Sequence, residues 1–268
     1  MCTLEGSFQG IWQLLGMSLR EAPAVHVPEW QSMDVKDKPM GVTHELCNTV
    51  IQMPILGTQR ELEASIPQAN LPWAENHFQE RVSGIPYNPP PSAAEWPFAQ
   101  KGHEEHTKDK KFSHTYPERF WPKQVEMKSG IQVGLRYNYG DLKDVVNQLA
   151  KSPLTRQAYL PVWFPEDTGA VHGERVPCTL GYHFLIRGGR LNVTYFIRSV
   201  DFLRHFPDDV YMAMRLGQWV RQELNQVDRE VPQPGDLSMG NLTMHMVSLH
   251  IFGGDMPRME REFNESSR

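Results

Sequence analysis

The chain has 268 residues, which is enough for one large domain or two small ones with a sizeable core. Its 27 basic and 32 acidic side chains give a formal net charge of −5, which argues against a basic surface that coats nucleic acid. Charged residues at 22% and hydrophobic residues at 40% are typical of a globular protein, so wholesale disorder is not expected.

The cysteines indicate a reduced compartment. Cys2, Cys47 and Cys178 are odd in number and far apart, and none belongs to a CxxC pair, so the pattern favours neither a disulfide framework nor a zinc site. The N-terminus lacks a cationic start followed by an apolar block, and no stretch approaches 18 uninterrupted apolar residues. We therefore expect a cytoplasmic protein without a membrane span.

The first half of the chain is poor in recognisable patterns. Residues 1–70 match no motif, and residues 85–128 form a segment rich in proline and aromatic residues. A flexible linker would be poor in aromatics, so Trp96 and Trp121 indicate an ordered insertion that packs on, or covers, another part of the protein. We find no domain boundary and no repeat, and we predict one domain over residues 1–268.

Regular elements follow this insertion. Asp141 can cap a helix through DLKDVVNQLAKS, whose apolar residues recur at helical spacing and which Pro153 ends. Residues 159–164, YLPVWF, predict a strand, and Pro161 within it implies an edge strand or a bulge.

A hairpin is the strongest local signal in the chain. The stretch TLGYHFLIRGGRLNVTYFIRS contains two β-rich runs joined by Gly188 and Gly189, which suit a tight turn at positive φ. Pro207 then begins an amphipathic helix, and a last strand is predicted over residues 241–252. Together these elements predict an α+β fold dominated by antiparallel strands.

Cys178 and Arg198 are the first candidates for chemistry. If the hairpin turns at Gly188 and Gly189, both residues lie at the same end of it. A guanidinium near a thiol favours the thiolate and can also hold a phosphate. Taken singly, a lone cysteine is commonly a small buried hydrophobe and a strand-end arginine is commonly a surface residue.

The run VPCTLGYHFLIRGGRLNVTYFIRSVDFLRHFPDD resembles the thymidylate synthase superfamily, in which a Pro-Cys precedes a hairpin and an Arg-Ser-x-Asp. The resemblance continues back through SPLTRQAYLPVW to Tyr139-Gly140 and forward to SLHIF, so it spans residues 139–252. It implies a thymidylate synthase-like α+β fold, with a mainly antiparallel or mixed sheet packed on helices and one sheet face used for dimerisation.

The resemblance implies nucleophilic catalysis on a pyrimidine nucleotide. Cys178 would attack carbon 6 of the base, and 5,10-methylenetetrahydrofolate would supply the carbon added at carbon 5. Arg198 and Ser199 would bind the phosphate, and Arg156 would reach the partner's phosphate in a homodimer. The family's usual second arginine is Gln157 here, so other donors must assist the phosphate.

The resemblance also implies a general acid or base in an early helix. The segment NLPWAENHFQERVSG offers Glu75 and Glu80, and Glu75 is favoured because the aromatic Phe78 follows it at the family's spacing. Solvated helix carboxylates are the alternative for both residues. Tyr139 matches a tyrosine near carbon 5, although loop packing would also explain it.

Further matches concern folate and sugar. Trp121 resembles a folate-lining tryptophan, with a core or lid role as the alternative, and Asp201 matches a pterin-binding aspartate, with turn capping as the alternative. His250 matches a histidine that contacts the 3′-hydroxyl. Its usual tyrosine partner is Phe252 here, which cannot donate a hydrogen bond, so ribose selection stays open.

Base preference is predicted from Asp209, eight residues after Asp201. Thymidylate synthases have an asparagine there, whereas phage deoxycytidylate hydroxymethylases have an aspartate, and they share the Cys-Thr found here as Cys178-Thr179. A carboxyl group complements the amino group of cytosine. An acidic residue also suits the start of a helix, and Asp208 competes for the assignment.

The C-terminal REFNESSR is polar and is not expected to seal an apolar lid, which favours water addition over hydride transfer. The leading hypothesis is a deoxycytidylate hydroxymethylase of bacteriophage type, which binds no membrane and no nucleic acid directly. The alternatives are deoxyuridylate as substrate, reductive methylation, and a non-catalytic nucleotide-binding member of the family.

A group of histidines and acids does not indicate a metal site. His103, His106 and His114 follow no established zinc spacing, and lysines are interspersed among them. We therefore interpret this segment as a solvated loop and expect no metal.

Overall fold

A computed structural model describes residues 3–30, 33–97, 110–125, 140–168, 175–227 and 237–266. Within these ranges the helices are α1 Phe8–Glu21, α2 Gln59–Ser65, α3 Trp73–Val82, α4 Tyr116–Phe120, α5 Leu142–Lys151, α6 Phe206–Gln226 and α7 Met256–Ser266. The strands are β1 Thr3–Glu5, β2 Ala24–His26, β3 Glu29–Trp30, β4 Met33–Asp34, β5 Val42–Pro54, β6 Tyr159–Pro161, β7 Thr179–Arg187, β8 Arg190–Asp201 and β9 Ser238–Phe252.

Seven of the described strands form one mixed sheet. Its order is β1-β5-β9-β8-β7-β6, and β2 pairs with the other end of β5. The pairs β1–β5 and β8–β9 are parallel and the remaining pairs are antiparallel. Helices α1, α5 and α6 pack on the sheet, which confirms the predicted α+β class with a mixed sheet.

The hairpin of β7 and β8 forms at the predicted glycines. Gly188 and Gly189 have φ values of 55° and 69°, and Arg187 pairs with Arg190 across the turn. Two successive residues at positive φ favour glycine, because other side chains are strained there. This turn sets the register that brings the far ends of both strands together.

The strand predicted over residues 159–164 is shorter in the structure. Strand β6 ends at Pro161, and the amides of Val162 and Trp163 both donate to the carbonyl of Leu180. The chain then turns at Pro165, so it cannot continue the ladder. Strand β6 is an edge strand of the described sheet, in agreement with the proline within it.

The helices predicted in the second half are confirmed. Asp141 is the N-cap residue of α5, and its amide donates to Oδ2 of Asp144 at 3.1 Å. Pro207 lies in the first turn of α6, where its missing amide hydrogen costs no helical bond. Helix α6 contributes much of the core, and it packs on β8 and β9.

The N-terminal segment, which the sequence left unassigned, builds part of the same sheet. Strand β5 pairs with β9 from Thr43 opposite Phe252 to Pro54 opposite Asn241. Ser7 caps α1, which buries an apolar face at helical spacing against β5. The buried α1 residues are Phe8, Ile11, Trp12, Leu15, Gly16 and Leu19.

The described C-terminal helix packs on α1. The ring of Phe263 lies 6.2 Å from that of Trp12, centroid to centroid. A Cβ at Gly16 would collide with the Phe263 ring, so α1 needs a glycine where α7 crosses it. Met259 of α7 is buried in the hydrophobic core, and α7 is therefore held against the body of the fold.

The described parts of the proline-rich insertion pack on the rest of the protein. Asn88 exchanges hydrogen bonds with the backbone of Phe112 at 2.8 and 3.0 Å, which joins two described parts of the segment. Trp96 stacks on His205, with ring centroids 5.0 Å apart, just before α6 begins. No described helix has the length and apolar character needed to cross a bilayer.

Candidate active site

Cys178 and Arg198 lie at one end of the hairpin, as the register requires. The Arg198 amide donates to the carbonyl oxygen of Cys178 at 2.9 Å. The guanidinium donates from Nε to the carbonyl of Pro177 at 3.0 Å and from Nη2 to that of Val176 at 3.1 Å. Arg198 thus fixes the loop that leads to the thiol and keeps other N–H groups for a ligand.

The thiol of Cys178 is half-buried and surrounded by charge. Burial raises its pKa, while the charges of Arg198 and Arg175 oppose this rise and that of Asp209 reinforces it. With a raised pKa, the thiol is predominantly protonated at neutral pH. Use of this thiol as a nucleophile would therefore need a group or a bound ligand that favours the thiolate.

A row of hydroxyl groups connects Asp209 with the residue after Cys178. Tyr195 donates from Oη to Oδ1 of Asp209 at 3.4 Å, and its Oη lies 2.8 Å from Oγ1 of Thr179. The same Oγ1 lies 3.3 Å from Oη of Tyr116. Four elements thus bring a carboxyl group, three hydroxyls and the neighbourhood of the thiol into one polar cluster.

Asp209 and Asp208 have different environments, although they are adjacent in α6. Burial raises the pKa of Asp209 to about 7, with Arg81 opposing and Asp208 reinforcing the rise. Asp208 instead accepts hydrogen bonds from the amide and side chain of Asn70 at 2.7 and 2.8 Å. Asp208 therefore holds the loop before α3, and Asp209 is the carboxyl group that faces the cluster.

Glu75 is clamped by an arginine. Its carboxylate accepts two hydrogen bonds from Arg215 and one from Tyr211, all at 2.8 Å, and another from Gln79 at 2.7 Å. Burial works to raise the pKa of Glu75, but these hydrogen bonds outweigh it and lower the pKa. At neutral pH Glu75 is an anion that can accept a proton more readily than it can donate one.

Glu80 has a second set of partners. It accepts hydrogen bonds from the amide and hydroxyl of Ser92 at 2.7 and 2.5 Å and contacts Nδ1 of His77 at 3.3 Å. Burial works to raise the pKa of Glu80, but the hydrogen bonds from His77 and Ser92 lower it below its usual value. Glu80 thus ties α3 to the proline-rich segment.

Two residues matched to folate-binding positions have structural partners. Trp121 is buried, donates from Nε1 to the carbonyl of Arg81 at 2.8 Å, and lies edge-on to Trp219 on α6. Asp201 accepts from the amides of Leu203 and Arg204 at 3.0 Å each, so it caps the turn after β8. These contacts supply the core and capping roles that the sequence allowed as alternatives.

The remaining predicted residues lie on the sheet or at its border. Ser199 is half-buried on β8 opposite Ser248, and His250 is half-buried on β9 opposite Asp201. Burial lowers the pKa of His250 to about 4, with Glu45 opposing, so its imidazole is neutral at pH 7. Arg156 is exposed, and its carbonyl accepts a 2.9 Å hydrogen bond from His183 on β7.

The structure places three unpredicted residues in or beside the cluster. Tyr116 of α4 contributes a hydroxyl, and Arg81 of α3 lies over the Tyr116 ring. The charge of Arg175 opposes the rise that burial causes in the pKa of Cys178. None of them belongs to a motif that spacing alone could reveal. The predicted Tyr139 lies outside the described residues.

Within the described ranges, no three histidine, cysteine or acidic residues are grouped as metal ligands. His114 contacts the carbonyl of Arg175 at 3.0 Å, while His103 and His106 lie outside the described residues. Two surface grooves of about 380 and 420 Å³ border α6 and α3, and neither is lined by Cys178.

Comparison with known proteins gives one family. The sequence model described as thymidylate synthase matches residues 110–268, which is more than half of the chain. The matched part includes the hairpin and α6, whereas α3 and β5 precede it.

Curated relatives agree with this family. The chain is 28% identical over 116 residues to a protein named "Putative thymidylate synthase" from Methanosarcina barkeri, covering 43% of the chain and 48% of the relative. A protein of the same name from Methanocaldococcus jannaschii is 26% identical over 171 residues, covering 59% and 66%. A protein named "Thymidylate synthase" from Rhizorhabdus wittichii is 27% identical over 131 residues, covering 48% and 40%. The chain spans about half the length of the relatives that head this set.

Proposed function

Because the chain belongs to the thymidylate synthase family, we propose that it transfers a one-carbon unit from 5,10-methylenetetrahydrofolate to carbon 5 of deoxycytidylate. Water then adds to the exocyclic carbon and gives 5-hydroxymethyl-deoxycytidylate and tetrahydrofolate. The observation that carries this proposal is the carboxyl group of Asp209, half-buried beside the half-buried thiol of Cys178.

Cys178 is the proposed nucleophile. Carbon 5 of a pyrimidine is a poor nucleophile, and addition of the thiolate to carbon 6 makes it electron-rich. Arg198 and Arg175 are the cations whose fields oppose the effect of burial on the thiol. When the phosphate of the substrate binds Arg198, it holds the guanidinium next to the sulfur of Cys178.

Asp209 is the proposed reader of the base. As a carboxylate it accepts a hydrogen bond from the 4-amino group of cytosine and repels the 4-oxygen of uracil. Its raised pKa, about 7, means that both protonation states are populated at neutral pH. The proximity of Tyr195 supports this role, because its hydroxyl fixes Oδ1 and leaves Oδ2 for the base.

The phosphate contacts are proposed for Arg198, Ser199 and Arg175, with Arg156 supplied by the second copy of the chain. Arg175 lies three residues before Cys178, and it offers a cation where Gln157 cannot. Arg156 is exposed and is joined through its carbonyl to His183, which is half-exposed on β7.

The second copy is proposed to bind the sheet face that the described helices leave open. Tyr159 and Val247 are 40% and 50% exposed. Phe196 of β8 stacks on His245 of β9, with ring centroids 5.1 Å apart, and both side chains are half-exposed. Large apolar side chains of this exposure favour an interface between subunits. A homodimer built this way places Arg156 at its border.

Four further residues are proposed to contact the sugar, the folate or the reacting protons. The neutral imidazole of His250 can hydrogen-bond to a sugar hydroxyl. Asp201 and Trp121 are proposed to act on folate, although each also has the structural contacts described above. Glu75 is proposed as the general base, in keeping with its anionic state.

Water addition is supported by the position of α7. Phe263 and Met259 of this helix are engaged with α1 and the core, so the described C-terminal segment is occupied by packing. An active site that is not sealed by that segment admits water to the exocyclic methylene.

A second candidate is reductive methylation of deoxyuridylate, which the names of the relatives favour. Incubation with methylenetetrahydrofolate and each pyrimidine monophosphate, followed by mass spectrometry, separates the two. Hydroxymethyl-deoxycytidylate supports our proposal. Thymidylate with an absorbance rise from dihydrofolate supports the second candidate, and absence of tritium release from carbon 5 of either nucleotide would indicate a non-catalytic protein.

A further inference from the structure

Arg81 is a buried cation with an unsatisfied donor. It lies near the end of α3 and is 4% exposed, and its Nε has no hydrogen-bond partner among the described residues. Its Cζ lies 4.1 Å from the ring centroid of Tyr116. A cation–π contact alone leaves the N–H groups of a guanidinium without acceptors.

Arg119 and Arg215, two other arginines with little exposure, are paired with carboxylates. Arg119 donates two hydrogen bonds to Asp167 at 2.9 Å, and Arg215 donates two to Glu75 at 2.8 Å. A buried charge without such a partner is unfavourable, so its presence calls for a ligand or a functional role. Arg81 is the exception within this set of three.

Arg81 faces the polar cluster that holds the thiol. The Tyr116 ring beneath it carries the hydroxyl that lies 3.3 Å from Thr179, the residue after Cys178. Burial raises the pKa of Tyr116, the charges of Cys178 and Asp209 reinforce this rise, and the charge of Arg81 opposes it. Burial has the largest effect on the pKa values of four further residues, and the charge of Arg81 works to lower each of them: Asp208, Asp209, His77 and His205.

We propose that Arg81 is a substrate-contacting residue whose guanidinium donates to the base atom that gains negative charge when Cys178 adds to the pyrimidine. This atom is N3 of cytosine or O4 of uracil. The inference rests on the proposed function, since it assigns a role within the same addition step.

The addition step defines what Arg81 does. After the thiol has lost its proton to water, a sulfur electron pair forms the bond to carbon 6. The π pair of the carbon 5–carbon 6 double bond forms a double bond between carbons 4 and 5. The π pair of the bond from carbon 4 to N3 or O4 then becomes a lone pair on N3 or O4. Arg81 stabilises this charge by hydrogen bonding and transfers no proton. Loss of the thiolate reverses every shift.

Asp209 and Arg81 together form an acceptor and a donor beside the base. Cytosine presents a donor, its 4-amino group, next to an acceptor, N3. Asp209 accepting from the 4-amino group and Arg81 donating to N3 match this order. Uracil would fit only if the two side chains exchanged positions, so the experiment below decides which order the site has.

The test compares Arg81→Gln and Arg81→Lys with wild-type protein. Tritium release from carbon 5 of labelled deoxycytidylate and deoxyuridylate gives kcat, and calorimetry gives nucleotide Kd. We expect kcat of Arg81→Gln to fall about 100-fold or more with Kd changed less than about tenfold, because one charge-stabilising donor is lost in the transition state. The base with the larger loss is the one that Arg81 contacts.

Arg119→Lys is the matched control, since it alters a buried arginine whose guanidinium is already paired with Asp167. It is expected to lower the melting temperature while kcat stays within about threefold. An Arg81→Gln variant with kcat within threefold of wild type overturns the inference. If that variant does not fold, Arg81→Lys decides: a loss below about threefold overturns the inference, and a loss above about tenfold supports it. Wild-type protein that releases no tritium and binds neither nucleotide overturns the proposed function as well.

Discussion

The amide of Arg198 donates to the carbonyl oxygen of Cys178 at 2.9 Å, although twenty residues separate them. Every residue between them belongs to one hairpin, whose turn at Gly188 and Gly189 sets the distance. A one-residue change in either strand would move the guanidinium to the other face of the sheet. The hairpin thus positions the thiol and its cation as one unit.

The nucleophile is tested by Cys178→Ser. We expect kcat to fall by at least about 1,000-fold because a serine hydroxyl is a far weaker nucleophile than a thiolate. Nucleotide Kd, measured by calorimetry, should change little. Cys47→Ser is the control, because Cys47 is an exposed thiol on β5. Substantial turnover by Cys178→Ser would contradict covalent catalysis.

Base selectivity should depend on pH through Asp209. Its pKa is about 7, so the carboxylate that we propose to bind the amino group of cytosine becomes predominant as pH rises from 6 to 8. The ratio of kcat/KM for deoxycytidylate over deoxyuridylate should rise across this range. Asp209→Asn should remove the pH dependence and shift preference to deoxyuridylate.

Asp208→Asn is the matched control for this measurement, since Asp208 bonds Asn70. We expect it to lower stability and leave the selectivity ratio unchanged. A change of selectivity in Asp208→Asn but not in Asp209→Asn would reassign the base reader.

Asp209 should also reduce stability at high pH. Its pKa is raised from 3.8 to about 7 on folding, so the folded state holds a proton that the unfolded state loses between these values. The free-energy cost grows from pH 4 to pH 7 and is then constant, at most about 4 kcal/mol. Asp209→Asn should therefore gain stability over wild type with rising pH. Urea unfolding at pH 5 and 8 measures this, and an equal difference at both pH values would refute it.

The two glutamates of α3 are distinguished by their amide variants. Glu75→Gln leaves Arg215 without a carboxylate and should cost about 3 kcal/mol of unfolding free energy. If Glu75 is the base, kcat per folded molecule should also fall about 100-fold, whereas Glu80→Gln should lose less than tenfold. A larger kcat loss in Glu80→Gln would transfer the role to Glu80.

Shared active sites are tested by mixing two inactive variants. Arg156→Ala and Cys178→Ser should each be inactive if Arg156 serves the partner's site. A randomised mixture contains heterodimers in which one site has both intact residues, so about a quarter of wild-type activity should return. Equilibrium sedimentation checks the dimer. No recovery in a dimeric mixture would place Arg156 outside the partner's site.

Local chemistry explains what the sequence could predict. The Asp141 cap, the glycine turn and Pro207 act within a few residues, so they are visible without a structure. The long alternating strand β5 was missed because its partner, β9, lies almost 200 residues away. Its exposed residues around Cys47 interrupt the apolar pattern.

The composition of the site was less predictable than the hairpin. Tyr116, Arg175 and Arg81 come from separate segments, and only tertiary packing brings them towards Cys178. The partners of Glu75 illustrate the same limit, because Arg215 lies 140 residues away. Spacing identifies a carboxylate on a helix but does not identify the cation that captures it.

Strand β5 lies between β1 and β9, whereas the family match starts only at residue 110. A fragment cut to the matched region would therefore strip β9 of its neighbour and leave a long row of amide and carbonyl groups open to other chains. Such a fragment should self-associate during expression. Recombinant expression of the matched region therefore needs β5 as well, because β5 occupies the edge of β9.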